Sequence, residues 1–443
     1  MTSSAQPLPV GTAPADGVVV IGAGLAGARV AQRLGAGTVL IGEEEHAPYN
    51  RVLLAEVLAG RYGPDVIALP SVPGTVLRTR VVRVDRAGRR VHCADGSVVP
   101  YGTLVLATGS NPVLPPLRGL FTHAEGDLPG GVHAFRTMDD CLALSAAVSP
   151  GVRVVVIGGG LLGVSAARAL ARRGAQVVLT QQAERLMERQ LDPMSSRLVH
   201  RHLTDLGVEV HTECRVRGVR VVDGAVRRVE LADGYLLDTD LTVLACGVRP
   251  RTGLAQAAGL DVRHGIVVDD LLRTSDPHIR AVGDCAEHDG RVYGLATPAV
   301  EQADALAAAL GQELGQESGE EPGQGPAGAS PRPYTGTRTL TRLTLPGPRP
   351  LDLAAFGDPE PRPDDDVVQL TDATRGTYRK VVVRGGRLVG GVLLGELGAV
   401  GALARAWEAD DPLPDDDSPL LHLLTDPHAR DLVRAGETPI GGR

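Results

Sequence analysis

Aromatic side chains are scarce in this sequence: Phe, Tyr and Trp together make up 2% of its 443 residues. Its cores must therefore be packed from Val, Leu and Ala. Lysine is scarcer still, with Lys380 the only one, and the bias toward Arg reads as GC-rich coding. No apolar run reaches the ~18 residues that span a bilayer. The first 17 residues have neither the basic start nor the apolar stretch of a secretory signal, so they read as a disordered tail on a cytoplasmic protein. The five cysteines, Cys93, Cys141, Cys214, Cys246 and Cys285, are scattered without a C-x-x-C pair. That spacing signals no redox-active disulfide, no iron–sulfur cluster and no zinc or other metal site. The net charge of −8, from 45 basic and 53 acidic residues, argues against a nucleic-acid surface, which needs clustered positive charge.

What is present is apolar bulk and glycine. Hydrophobic residues make up 43%, and glycine occurs 56 times. The length suggests about three domains at roughly 150 residues each. Val18 to Ile21 is a short β-branched run that reads as a buried strand. Gly22, Gly24 and Gly27 follow it, with Leu25 and Ala26 between, and Ala28 to Leu34 continues as a helix. Thr38 to Ile41 is the next strand, ending at Gly42 and Glu43. Three or four short alternating strands from Val76 to Val105, with a turn at Asp95-Gly96, form a β-meander that ends in Ala107-Thr108-Gly109. The pattern then restarts. Val152 to Ile157 is a strand, and Gly158, Gly160, Leu161, Leu162 and Gly163 open a helix to about Arg173. Strands at Gln176–Leu179, Val208–His211, Val216–Val222 and Ala225–Leu231 follow, and Leu241 to Gly247 closes the unit. Residues 18–109 and 152–247 are thus an internal duplication.

Each copy carries the chemistry of a dinucleotide fold. The first glycine permits a tight turn, the second lets a pyrophosphate approach the backbone, and the third allows close helix–strand packing. The helix N-terminus supplies free N–H groups and a positive dipole end. Glu43 lies where a carboxylate can accept hydrogen bonds from an adenosine ribose. The late segment Ile279-Arg-Ala-Val-Gly-Asp284 assigns FAD to the first copy, because a strand ending in Gly283-Asp284 places a carboxylate where a ribitol hydroxyl would lie. The helix from about Pro298 through Glu301 and Gln302 would direct its N-terminus at the flavin ring and stabilise it when reduced. The second copy is then left for a nicotinamide cofactor. His288 follows the flavin-proximal strand, but the histidines read as ordinary core or surface groups.

Residues 311–333 are Gly, Glu, Gln, Pro and Ser with almost no large apolar side chain, the composition of a flexible linker. Beyond them, Thr339–Thr344, Leu351–Ala355, Val367–Thr371 and Tyr378–Val383 alternate as strands. Arg384-Gly-Gly386 turns into Leu388–Leu394, and helices are expected at Ala402–Glu408 and near Pro419–Thr425. Asp364–Asp366 and Asp415–Asp417 read as solvated loop charges.

Three stretches resemble a known family: Gly42-Glu-Glu-Glu-His-Ala-Pro-Tyr-Asn-Arg51, Leu186-Met-Glu-Arg-Gln-Leu-Asp192 and Gly283-Asp-Cys-Ala-Glu-His-Asp-Gly-Arg-Val-Tyr-Gly-Leu295. They are similar to the FAD/NAD(P)-dependent pyridine nucleotide oxidoreductases. Within these they are most similar to the flavin modules of assimilatory nitrite reductase large subunits and nitrate reductase electron-transfer subunits, with rubredoxin and ferredoxin reductases near. The resemblance covers residues 18–310 well and 334–400 more loosely. It implies an α/β chain with two Rossmann-like three-layer domains, the second inserted in the first, and a small C-terminal α+β domain. The boundaries are 18–139 and 263–310 for FAD, 140–262 for NAD(P), a linker at 311–333, and 334–443 for the last domain. It also implies that Arg51 lies near the flavin, that the Val81 backbone meets the adenine, that Ala107, Thr108 and Gly109 lie by the FAD phosphates, and that Gly247 lines the NAD(P) site.

Three departures stand out. Family members carry Glu beside the nicotinamide where this chain has Ser165. The strand end Thr180-Gln181-Gln182 has neither an acid for NADH nor an obvious Arg for a 2′-phosphate. The cysteine-rich iron–sulfur and sirohaem domains of a full nitrite reductase do not follow. The expected activity is electron transfer from NAD(P)H through FAD to a separate acceptor. That acceptor is a nitrite or nitrate reductase component, a rubredoxin or ferredoxin, or a small molecule such as oxygen or quinone. A flavin-binding regulatory or scaffold protein with an impaired nicotinamide site is the alternative of another class, and association as a homodimer is left open.

Overall fold

The computed structural model describes residues 17–121, 128–315, 333–372 and 374–413. The N-terminal tail through residue 16, residues 316–332 of the expected linker, and the helix near Pro419–Thr425 lie outside them. The chain forms two compact units. One takes Met1–Val113, Arg136–Ala143 and Val248–Thr337, and the other takes Leu114–Phe135, Leu144–Gly247 and Arg338–Arg443.

The first unit is built on a five-stranded parallel sheet in the order Ile279–Ala281, Thr103–Leu106, Val18–Ile21, Thr38–Gly42, Thr75–Arg78. Its central strand, Val18–Ile21, is buried along its whole length, as a parallel strand covered on both faces must be. The helix Leu25–Leu34 turns Ala26, Val30, Ala31 and Leu34 inward. They share one core with Ala299, Ala303, Leu306 and Leu310 of the helix Ala296–Glu313. The meander expected at 76–105 is smaller than its sequence span. Only Val81–Asp85, Arg90–Cys93 and Val98–Pro100 pair antiparallel. The flanking strands Thr75–Arg78 and Thr103–Leu106 join the parallel sheet. The second does so because the unbroken apolar run Leu104–Leu106 needs both faces covered.

The second unit repeats that order with a parallel sheet of Val132–Ala134, Leu241–Leu244, Arg153–Ile157, Gln176–Thr180 and Glu209–His211. Val216–Val222, Ala225–Leu231 and Leu236–Asp238 form its antiparallel ribbon. Two boundaries differ from the sequence reading. Val132–Ala134 pairs with Leu241–Leu244, so this strand belongs to the second sheet although it precedes residue 140. The chain returns to the first unit at Val248, because Val248–Pro250 pairs with Ser110–Pro112 and the Arg251 amide donates to the Gly109 carbonyl.

The same unit contains a five-stranded antiparallel sheet ordered Leu340–Leu345, Leu351–Gly357, Arg387–Leu394, Thr377–Arg384, Asp366–Asp372. Gly385 and Gly386, both at positive φ (55° and 73°), make the two-residue hairpin turn. Val400, Leu403 and Trp407 of the helix Val400–Ala409 pack on this sheet, with the Trp407 ring 5.4 Å from that of Phe356. No helix among the described residues is long and apolar enough to cross a membrane.

Candidate functional site

The two glycine turns have the same geometry. Gly22 and Gly158 both sit at φ +110°. A Cβ on either would lie 2.1 Å from the Ala107 carbonyl oxygen or 2.3 Å from that of Ala245. A Cβ on Gly27 or Gly163 would lie 1.9 or 1.8 Å from the carbonyl oxygen of Gly22 or Gly158. These four glycines are required by the protein's own backbone. Gly24 and Gly160 are not, since a Cβ on either meets nothing within 4 Å. Each is instead the N-cap of its helix, Leu25–Leu34 or Leu161–Arg172, with no side chain to satisfy the first N–H groups. An open space in front of unsatisfied donors at a positive helix end fits a pyrophosphate. The repeat extends to the strand ends: Gly109 (φ 71°) follows Thr103–Leu106, and Gly247 (φ 98°) follows Leu241–Leu244, each with no neighbour where a Cβ would stand.

Around the first turn, Glu43 follows the strand Thr38–Gly42 and its carboxylate is held by both Arg251 guanidinium nitrogens, one at 2.9 Å. That hydrogen bonding lowers the Glu43 pKa against the opposing effect of burial. The Thr108 hydroxyl donates to the Arg251 carbonyl at 2.7 Å, so Arg251 links the acid to the Thr108-Gly109 turn. Val81 opens its antiparallel strand and packs against the first core.

Asp284 sits in the short turn Gly283–Cys285, where Gly283 has φ 78° and its amide donates to Oε1 of the buried Gln302 at 2.7 Å. The Asp284 carboxylate accepts from Ser110 at 2.8 Å and from Arg136 at 2.7 Å. Arg51 donates to the Arg136 carbonyl at 2.5 Å and to Glu44 at 2.7 Å, and Glu44 also accepts from Tyr49. Two guanidiniums and two carboxylates therefore share one part of the first unit. Burial depresses the Arg136 pKa and Asp284 opposes it. Arg136 is absent from the sequence-derived candidates. Its backbone is fixed locally: Asp140, in the first turn of the helix Met138–Ala147, accepts from the Arg136 and Thr137 amides. His288 is buried, paired with Asp270 at 2.9 Å, and packed edge-on against Tyr334 at 4.9 Å.

Around the second turn, Leu161 and Leu162 open the helix and stay half-buried. Ser165 turns into that helix, its hydroxyl donating to the Leu161 carbonyl at 2.8 Å. The Thr180 hydroxyl is buried on Val156, and Gln181 accepts from the Gly159 amide at 2.8 Å. Arg185, the cation nearest the strand end, is engaged by Glu360 at 2.9 Å. None of the five cysteines is in a disulfide, and burial pushes Cys246 up to about 11.

Residues 16–303 match the family model described as pyridine nucleotide-disulphide oxidoreductase, and 350–409 match that of the rubredoxin NAD+ reductase C-terminal domain. Nitrite reductase [NAD(P)H] of Bacillus subtilis (strain 168) is 34% identical over 86% of the chain. The chain spans only 45% of that relative's length. A probable ferredoxin reductase of Castellaniella defragrans is 37% identical over 66% of the chain and 74% of its own length. The crystal structure of a covalent putidaredoxin reductase–putidaredoxin complex superimposes with a TM-score of 0.78 at 26% identity, covering 92% of this chain and 98% of that one. Two equivalent glycine turns, a Gly-Asp turn beside the first of them and these matches lead to one conclusion: the chain belongs to the pyridine nucleotide-disulphide oxidoreductases.

Proposed function

We propose that the first unit holds FAD, that the glycine turn of the second holds NAD(P)H, and that electrons leave for an acceptor centre outside this chain, of the nitrite- or nitrate-reductase type. The observation that carries this reading is the pair of glycines, Gly24 and Gly160, that no internal contact requires. Bound FAD would supply the exchange between a two-electron donor and one-electron acceptors. The protein's part is orientation and charge. Gly22, Gly24, Leu25, Ala26 and Gly27 present backbone to the pyrophosphate, Glu43 accepts from ribose, and Asp284 accepts from ribitol. Ala107, Thr108 and Gly109 border the phosphates, and Val81 meets the adenine. Arg51 and Arg136 set guanidinium groups beside the ring system, each paired with a carboxylate, Glu44 or Asp284. Gly158, Gly160, Leu161, Leu162, Gly163 and Gly247 form the second cradle. This reading gives the cysteines no part in electron transfer: none is in a disulfide, and Cys93, Cys141 and Cys285 are buried.

Purified protein is expected to be yellow, with about one FAD per chain, to bleach with NADH under anaerobic conditions, and to pass electrons to ferricyanide or an iron–sulfur protein faster than to oxygen. A colourless protein that takes up no FAD on reconstitution overturns the proposal. The inward-turned Ser165 favours one competing reading, a flavin-binding regulatory protein with a weakened nicotinamide site. A yellow protein that NADH does not bleach would establish that reading instead.

A further inference from the structure

The segment between the strand Gln176–Thr180 and the helix Pro193–Asp205 grips the second glycine turn. The Gly159 amide donates to Gln181 Oε1 at 2.8 Å, and the Gly159 carbonyl accepts from the Met187 amide at 2.9 Å. Leu186 lies over the same residue, since a Cβ added to Gly159 would stand 2.6 Å from its Cδ2. Leu186, Met187 and Leu191 are at most 1% exposed. This irregular stretch thus fixes the middle residue of Gly158-Gly159-Gly160 from both sides.

The stretch is itself held by the antiparallel sheet of the same unit. Asp192 ends it and caps the helix Pro193–Asp205, Oδ1 accepting from the Ser195 amide at 3.0 Å. Its other oxygen, Oδ2, accepts from the Tyr378 hydroxyl at 2.5 Å and from Lys380 Nζ at 3.1 Å. Asp192 and Lys380 are 3% and 6% exposed. A second grip lies nearby, where Arg185 pairs with Glu360 at 2.9 Å and its Nε donates to the Leu191 carbonyl at 3.4 Å. A buried ion pair is weak grounds for stability, because desolvation offsets the attraction, but it does set geometry. Here Lys380 is the only lysine in a chain that otherwise uses arginine, and it is spent on this contact.

We propose that Lys380 and Tyr378 are positioning residues for pyridine nucleotide binding, acting through Asp192 and the 181–192 segment to hold the Gly158–Gly160 turn in its binding geometry. The proposal rests on the reading that the second cradle takes NAD(P)H. A ligand site held from behind loses affinity when its support loosens, without losing its own contacts.

The test measures KM for NADH, kcat with ferricyanide, and FAD per chain in holoenzyme carrying Lys380→Met, Lys380→Arg, Glu360→Gln or the pair Asp192→Asn/Lys380→Met. Lys380→Met is expected to raise KM by about three- to thirtyfold, with FAD content unchanged and kcat at saturating NADH within a factor of two or so. Lys380→Arg and the charge-neutral pair should each recover part of the loss, and Glu360→Gln should give a smaller rise of the same kind. A lowered melting temperature with wild-type KM in every variant would show a merely structural tie and overturn the proposal. Should Lys380→Met fail to fold, Tyr378→Phe, which removes one hydrogen bond and no charge, takes its place with the same two outcomes. Failure of the underlying reading looks different, because then wild-type protein itself is not bleached by NADH.

Discussion

Replacing the second and third glycines of one fingerprint separates ligand reading from folding. Gly160 has φ −78° and ψ −175°, extended values that valine adopts readily, and nothing stands within 4 Å of its Cβ position. Gly160→Val should therefore cost the fold only the weaker helix cap, about 0.5–1 kcal/mol. The branched side chain would enter the space read as the pyrophosphate site and part the phosphates from the helix N–H groups. Each hydrogen bond lost to a charged phosphate costs about 1.5–3 kcal/mol, roughly ten- to a hundredfold in affinity. Gly163 is the reverse case. Its Cβ would stand 1.8 Å from the Gly158 oxygen, so the helix must retreat by roughly 1.6 Å to reach an ordinary contact. That overpacking should cost about 1–3 kcal/mol, a fall of several degrees in Tm at about 2–4 °C per kcal/mol. The assay is anaerobic stopped-flow bleaching of the flavin by NADH, beside FAD content and Tm. Gly160→Val should keep its FAD and lose only about 1–4 °C in Tm, while reduction by NADH weakens at least tenfold or so; Gly163→Ala should lower Tm first. If Gly160→Val instead released FAD while residual holoenzyme was reduced normally, the assignment of the two folds is reversed. Wild-type KM in Gly160→Val would refute the ligand reading of that glycine.

Four further outcomes follow from the same geometry. Gly24→Val should yield colourless protein that still binds NAD+ by calorimetry; retained yellow colour would contradict the first cradle. N-ethylmaleimide applied to native holoenzyme should leave ferricyanide reduction unchanged, since burial holds the Cys246 thiol at about 11; rapid inactivation would implicate a thiol. NADH should be mildly preferred over NADPH by kcat/KM, and Arg185→Ala should change the ratio little because Arg185 already pairs with Glu360. A clear NADPH preference that collapses in that variant would show that the loop, not the strand end, reads the cofactor. Burial raises the Asp192 pKa, but hydrogen bonds from Ser195, Tyr378 and Lys380 outweigh it and hold the group below its ordinary 3.8. Its stabilisation is then complete above pH 3.8 and lost as pH falls through the lowered value. The deficit of Asp192→Asn in urea midpoint should shrink over that acid range, and a deficit independent of pH would refute the assignment.

Much of this was legible in the chain. Val18–Ile21 and Arg153–Ile157 announce buried parallel strands by apolar content alone, and the glycine spacings locate the turns because backbone clashes at Gly22, Gly27, Gly158 and Gly163 admit no other residue. The helix Pro193–Asp205 was missed although Asp192-Pro193 is an N-cap followed by proline at the first helical position. Local pattern could not reveal partners far apart in sequence. Glu43 meets Arg251 across 208 positions, Asp284 meets Arg136 across 148, and Asp192 meets Lys380 across 188. The repeated strand–turn–helix units were readable along the chain, since these depend on local sterics and on the period of apolar residues. Which charges face each other emerged with folding, because a carboxylate carries no local mark of the guanidinium or ammonium that will come within 3 Å or so of it.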